Sequence, residues 1–153
     1  VAVLALATTG CRAQGLAFQQ DHRITIISPR DRAHVAAPVV VRWKVKDPAA
    51  YPGRGAFGVV VDRAPQPPGK GLDHFVGNDP TCRKPAACVT ANYLAIRGVY
   101  LTTETSFRLD TLPPRMGVPK DQRNLHEVTV VLLDSQGRRV GESGVSVNVR
   151  VQP

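Results

Sequence analysis

Along the last quarter of the chain, from Leu125 to Val151, apolar side chains recur at alternate positions. Val128, Val130 and Leu132 share one parity, and Val145, Val147, Val149 and Val151 repeat it after a break. Glu127, Thr129, Ser146, Asn148 and Arg150 take the other parity. Only an extended backbone puts alternate residues on opposite faces, so the stretch predicts two half-buried strands. Asp134-Ser135-Gln136-Gly137 supplies turn chemistry between them. This hairpin specifies a scaffold and carries no chemistry of its own.

The same period recurs upstream. Ile24 to Ile27 forms a first candidate strand, stopped by Ser28-Pro29 because proline has no N–H for a ladder. Val39, Val41, Trp43 and Val45 then alternate with Arg42, Lys44 and Lys46, which predicts a strand with its cations in solvent. Trp43 is expected to anchor the core, since its neighbours of the same parity are valines. A turn region from Asp47-Pro48 to Pro52-Gly53 leads to Phe57, Val59 and Val61; Val99 with Leu101, and Phe107 with Leu109, mark two further strands. Aromatic residues are only 5% of the chain, while Val, Gly and Pro are plentiful, a balance that favours short strands over long helices. No window after the first 23 residues shows a convincing helical stripe.

Two stretches break the pattern. From Arg63 to Asn92 the period vanishes, and the segment holds five prolines with Cys82 and Cys88. That is far longer than an ordinary hairpin loop, and long loops on rigid scaffolds are common seats of binding. Thr111 to Asn124 is a second irregular stretch, with Pro113, Pro114 and Pro119 among Arg115, Lys120 and Arg123.

The other end of the chain carries a different signal. Val1 to Thr9 is uncharged and apolar, too short to span a bilayer but suited to the apolar core of an export signal. Residues 1–10 are read as an export signal remnant, 11–23 as a tether and 24–153 as one folded domain. Thr8-Thr9-Gly10-Cys11 resembles the lipobox of bacterial lipoproteins, in which a small residue precedes a cysteine that is diacylated and becomes the mature N-terminus. The resemblance implies lipidation at Cys11, export, and anchoring to the cell envelope. An ordinary secretory signal with an incidental cysteine is the alternative. From Arg12 to Arg23 no apolar period exists, and a dozen residues reach at most ~40 Å when extended.

With Cys11 set aside, Cys82 and Cys88 are an even pair in an oxidising compartment, and a disulfide between them is expected. So small a loop removes little chain entropy, so the bond would shape the loop more than hold the domain. A metal site drawing on Asp73, His74, Asp79 and the cysteines competes with this reading, but the spacing is that of no zinc motif. His126 opens the penultimate strand, where a side chain that hydrogen-bonds the adjoining corner is the expected role. No nucleophile elbow, HExxH, phosphate loop or dinucleotide fingerprint occurs, so no catalytic residue, cofactor or metal is assigned.

Strands of this number and length predict an all-β, immunoglobulin-like antiparallel β-sandwich of about seven strands with one long disulfide-containing loop. The run from His126 to Asp134, followed by Gly137, is similar to the last hairpin of bacterial immunoglobulin-like domains, a resemblance that implies fold and not activity. Connections in such a fold alternate between two ends, which would gather segments 30–37, 63–92 and 111–124 at one of them. Those segments carry nine cations against four carboxylates, most of the chain's net +8. His34, His74 and His126 would fall at the same end.

The sequence therefore suggests a non-enzymatic, membrane-anchored protein that binds through basic Pro-rich loops, with Arg63, Lys70, Arg83, Lys84, Arg115, Lys120 and Arg123 as the contact residues. The expected partner is an acidic envelope polymer or an envelope protein, with no specific nucleic acid. The alternative is a structural subunit of an envelope assembly, packing through Val131 and Leu133 on the outer side of the penultimate strand. An enzyme without a recognisable motif, or a metal-binding protein, stands behind both.

Overall fold

The computed structural model describes residues 22–46 and 55–152. The expected signal remnant, Cys11, nearly all of the tether and the turn from Asp47 to Gly53 lie outside the described residues.

The periodic stretches are strands, arranged in two facing sheets. Strands β1 (Ile24–Ser28), β3 (Val39–Val45) and β6 (Ser106–Leu109) form a three-stranded antiparallel sheet in the order β1-β3-β6. The second sheet holds β2 (Ala33–Val35), β8 (Val145–Val151), β7 (Leu125–Leu132), β4 (Phe57–Val61) and β5 (Val99–Thr102), in that order. This is an immunoglobulin-like sandwich, all-β except for short helical pieces in the β4–β5 connection and a 3-10 turn at Lys120–Gln122. Strand β2 lies within what the sequence presents as a turn, and it pairs parallel to β8 through Ala33 opposite Val149 and Val35 opposite Val151. Among the described residues no helix is long and apolar enough to cross a membrane.

Register follows the hydrophobic parity, because a slip of one residue would turn every inward side chain outward. Val128 sits opposite Val147 across β7 and β8, and Val59 opposite Val130 across β4 and β7. Between the sheets, Val39, Val41, Trp43, Phe57, Val59, Leu109, Val128, Val130, Leu132, Val147 and Val149 pack into one core. Trp43 is 2% exposed and meets Phe57 edge-on, with ring centroids 5.3 Å apart.

Strands β1, β4, β6 and β8 finish at one end of the sandwich, called the upper end below; β3, β5 and β7 finish at the lower end. The chain enters β1 at the lower end, where Ile24 pairs with Val45. After β1 the chain crosses between the sheets at Asp31 and Arg32, which bond Asn148 in the middle of β8, and continues in the same direction as β2, so that only the β2–β3 connection and the 110–124 segment lie at the upper end.

The connection between β4 and β5 departs from the sequence reading. It leaves the upper end at Val61 and returns there at Val99, with Val61 N–H bonded to Gly98 O at 2.8 Å. Between these points it crosses the outer face of the five-stranded sheet and touches the β7–β8 turn at the lower end. Helices α1 (Pro85–Cys88) and α2 (Ala91–Ile96) and a 3-10 turn at Leu72–Phe75 give it local order. Its apolar side chains, Phe75 and Leu94 with Leu72 and Val89, form a second core against Val60 and Val99.

The expected exposed strand face therefore does not exist: Val131 and Leu133 are 0% and 2% exposed. Gly58 contributes to this burial, because a Cβ there would stand 2.9 Å from Val131 Cγ2. Around β4 and the end of β7 the sheet is covered on both faces by its own chain, while Leu101 on β5 and Ser146 on β8 stay exposed.

Candidate binding cleft

Two polar knots hold the β4–β5 connection, called the insert below, in place; the first is centred on Asp79. Its Oδ1 accepts hydrogen bonds from Thr81 N–H at 2.9 Å and Thr81 Oγ1 at 2.6 Å. Its Oδ2 accepts from Tyr93 Oη at 2.8 Å and Arg97 Nη2 at 2.7 Å. The Thr81 hydrogen bonds, then that of Tyr93, and to a smaller degree the Arg97 charge hold the Asp79 carboxyl down at about 2. Burial, and then the hydrogen bond to Asp79, raise the Tyr93 phenol above its ordinary value.

Arg97 also stands over the Tyr93 ring, with its guanidinium carbon 3.5 Å from the centroid. Helix α2 is capped by Thr90 Oγ1, which accepts from Tyr93 N–H at 3.2 Å. The same Tyr93 thus belongs to the cap and to the knot.

The second knot joins the insert to the β7–β8 turn. Gly69 N–H donates to Arg139 O at 2.8 Å, and Arg139 N–H donates to Lys70 O at 3.0 Å. Arg139 Nη1 donates to Gln66 O at 3.0 Å and its Nε to Ser143 O at 2.8 Å. The turn itself is fixed by Asp134 Oδ1, which accepts from the backbone of Gln136 and of Arg138. Gly137 sits at φ +72°, and a Cβ there would come 3.0 Å from Leu72 Cδ1.

Beside the second knot lies a cleft of ≈ 630 Å³. Leu72, Ala86 and Val89 give it apolar lining, and Lys70, Arg138, Gln136 and Asp73 give it polar lining. The Cys82–Cys88 disulfide is formed and closes the segment that carries Arg83, Lys84 and Ala86. The bond therefore fixes one wall of the cleft. Arg83 and Lys84, both exposed, make no ion pair among the described residues.

The seven cations proposed from sequence do not form one surface. Lys70 lies at the lower end, beside the hairpin turn, and Arg83 and Lys84 stand on the disulfide loop next to the cleft wall at Ala86. The reason is physical: the insert has a sheet face to cover, so it cannot stay gathered at the upper end. Arg63 is spent on structure, donating to Arg97 O at 3.1 Å with its guanidinium 5.0 Å above the Phe75 ring.

Arg115 is likewise committed, 3.8 Å from Asp62 and bonded to Leu125 O at 3.2 Å. Lys120 and Arg123 alone of the seven remain exposed at the upper end. Arg138, which belongs to the cleft, was not among the sequence candidates. Its place depends on a contact between residues far apart in the chain.

The three histidines do not converge. His34 is on the edge strand β2, and His74 packs edge-on against Phe75 in the insert, with centroids 5.6 Å apart. His126 is 1% exposed, and its Nδ1 donates to Asp62 Oδ2 at 2.7 Å, because a carboxylate can only accept. Asp62 Oδ1 accepts from Glu127 N–H at 3.0 Å, so the pair stitches the end of β4 to the start of β7. Among the described residues no three His, Cys, Asp or Glu side chains come together as a metal site.

Compared with known proteins, the chain matches no family model, no curated protein sequence and no solved structure.

Proposed function

We propose that this is a non-enzymatic, exported and lipid-anchored envelope protein whose immunoglobulin-like domain holds an acidic envelope polymer in the cleft between the insert and the β7–β8 turn. The observation that carries the reading is the cleft itself: Lys70 and Arg138 line it together with the apolar side chains of Leu72, Ala86 and Val89, and Arg83 and Lys84 stand exposed on the adjoining disulfide loop. A polymer of acidic sugars presents carboxylates to the cations and its apolar ring faces to Leu72 and Val89. The anchor follows from the resemblance of Thr8-Thr9-Gly10-Cys11 to a lipobox. Packing into an assembly through Val131 and Leu133 loses its motive, since both are buried.

The test is retention of the full chain on an immobilised polyuronate. Lys70→Glu/Arg138→Glu should lower affinity by at least about tenfold and flatten its dependence on salt. Unchanged retention, or binding indifferent to salt, would reject the reading. Specific capture of an envelope protein by the wild type, lost in the same double variant, would reassign the cleft to a protein partner.

A further inference from the structure

The opposite side of the sandwich carries a second unassigned surface. The outer face of the three-stranded sheet is open to solvent, and along its central strand β3 the exposed side chains are Val40, Arg42 and Lys44, followed by Lys46 just beyond the strand. Same-face residues on a strand stand ~6.8 Å apart, so the three cations extend over ~13 Å. Arg108 on β6 sits directly across from Val40, and Ser106 across from Arg42.

No carboxylate lies within β1, β3 or β6. Asp110 and Glu104 flank the two ends of β6, and Asp110 pairs with Arg108 at 2.6 Å. Arg42, Lys44 and Lys46 make no ion pair among the described residues.

Two aliphatic side chains are set among these cations: Ile27 of β1, 60% exposed, and Val40, 36% exposed. Charged residues are depleted at the centre of protein interfaces, which argues against a protein partner here. A soluble polyanion would satisfy the cations and leave Ile27 without a role. The headgroup layer of an anionic bilayer satisfies both, with phosphates meeting the cations and the aliphatic side chains dipping below them. The path of the chain agrees, because β1 of this same sheet is the strand that follows the expected tether.

We propose that the outer face of the three-stranded sheet, through Arg42, Lys44, Lys46 and Ile27, docks on an anionic phospholipid surface. The insert and its cleft cover the other sheet, so this docking turns the cleft away from the membrane. In its cellular setting the proposal rests on the anchored reading; its test does not.

The probe is sedimentation of the full, unlipidated chain carrying Cys11→Ser with vesicles of mixed phosphatidylglycerol and phosphatidylcholine, and with vesicles of phosphatidylcholine alone. Binding should require phosphatidylglycerol and weaken with salt. Arg42→Gln/Lys44→Gln/Lys46→Gln should weaken it about a hundredfold, from roughly tenfold or less per basic side chain, while Arg83→Gln/Lys84→Gln on the other sheet leaves it unchanged. Equal binding to both vesicles, or full binding by the triple variant, overturns the proposal. Retention of this face by soluble polyuronate without any vesicle binding would also overturn it. The anchor fails or stands on a separate measurement, the membrane fractionation of Cys11→Ala in cells.

Discussion

Leu94→Ala tests whether the insert is part of the domain or a loop laid upon it. Leu94 is 1% exposed and packs with Phe75 of the insert against Val60 and Val99 of the sheet. Val60 and Val99 are opposite one another in the β4–β5 ladder, so the floor of the cavity left by the substitution cannot rise to fill it. Truncating a buried leucine costs about 2–5 kcal/mol, and a rigid floor puts this site near ~3 kcal/mol. For a domain of this size each kcal/mol moves the midpoint by roughly 4 °C, giving a fall of about 12 °C in thermal unfolding. The assay is circular dichroism of the full chain with limited proteolysis in parallel. One cooperative transition at the lower temperature is expected. An unchanged midpoint, with cleavage accelerated only between Arg63 and Gly98, would refute the packing argument.

The other predictions concern the same architecture from different sides. Val131→Asp buries an unpaired charge under the insert and should abolish folding, whereas Ile27→Asp, at a position 60% exposed, should change stability by no more than ~0.5 kcal/mol; chemical denaturation compares them. Asp79 has a folded-state pKa depressed from 3.8 to about 2, so its contribution is complete above the unfolded value and disappears as pH falls through about 2. Asp79→Asn should therefore flatten the acid limb of the stability profile between those values and leave the slope above pH 5 unaltered. Cys82→Ser/Cys88→Ser opens a loop with sequence separation 6, which removes about 2 kcal/mol by chain entropy. The same variant should weaken polyuronate binding by more than it lowers the melting midpoint, because the disulfide shapes a cleft wall.

The inner faces of the strands were legible because burial on one side writes a period of two into the residues. Val39, Val41 and Trp43 alternate with Val40, Arg42 and Lys44, and the structure follows that parity. The cover on the other sheet was also written, in a form easily passed over: Val130-Val131-Leu132-Leu133 is apolar on both parities, the mark of a strand enclosed on two faces. Strand β2 left no such trace, since three residues cannot show a period and its pairing with β8 is long-range.

Helices α1 and α2 are four and six residues long, too short for a stripe, although Thr90 ahead of Ala-Asn-Tyr-Leu-Ala-Ile is a readable N-cap. The cleft was out of reach because it depends on Gly69 and Lys70 meeting Arg139. Charge counting placed Lys70 by connectivity alone. Connectivity cannot say how far a long loop travels before it returns.

Hydrogen exchange of the full chain with and without a soluble polyuronate locates the binding site directly. Protection is expected to be confined to Gly69–Asp73, the Ala86–Val89 wall and Gln136–Arg138. Protection centred instead on Lys120 and Arg123 at the upper end, with the cleft unchanged, would contradict that location.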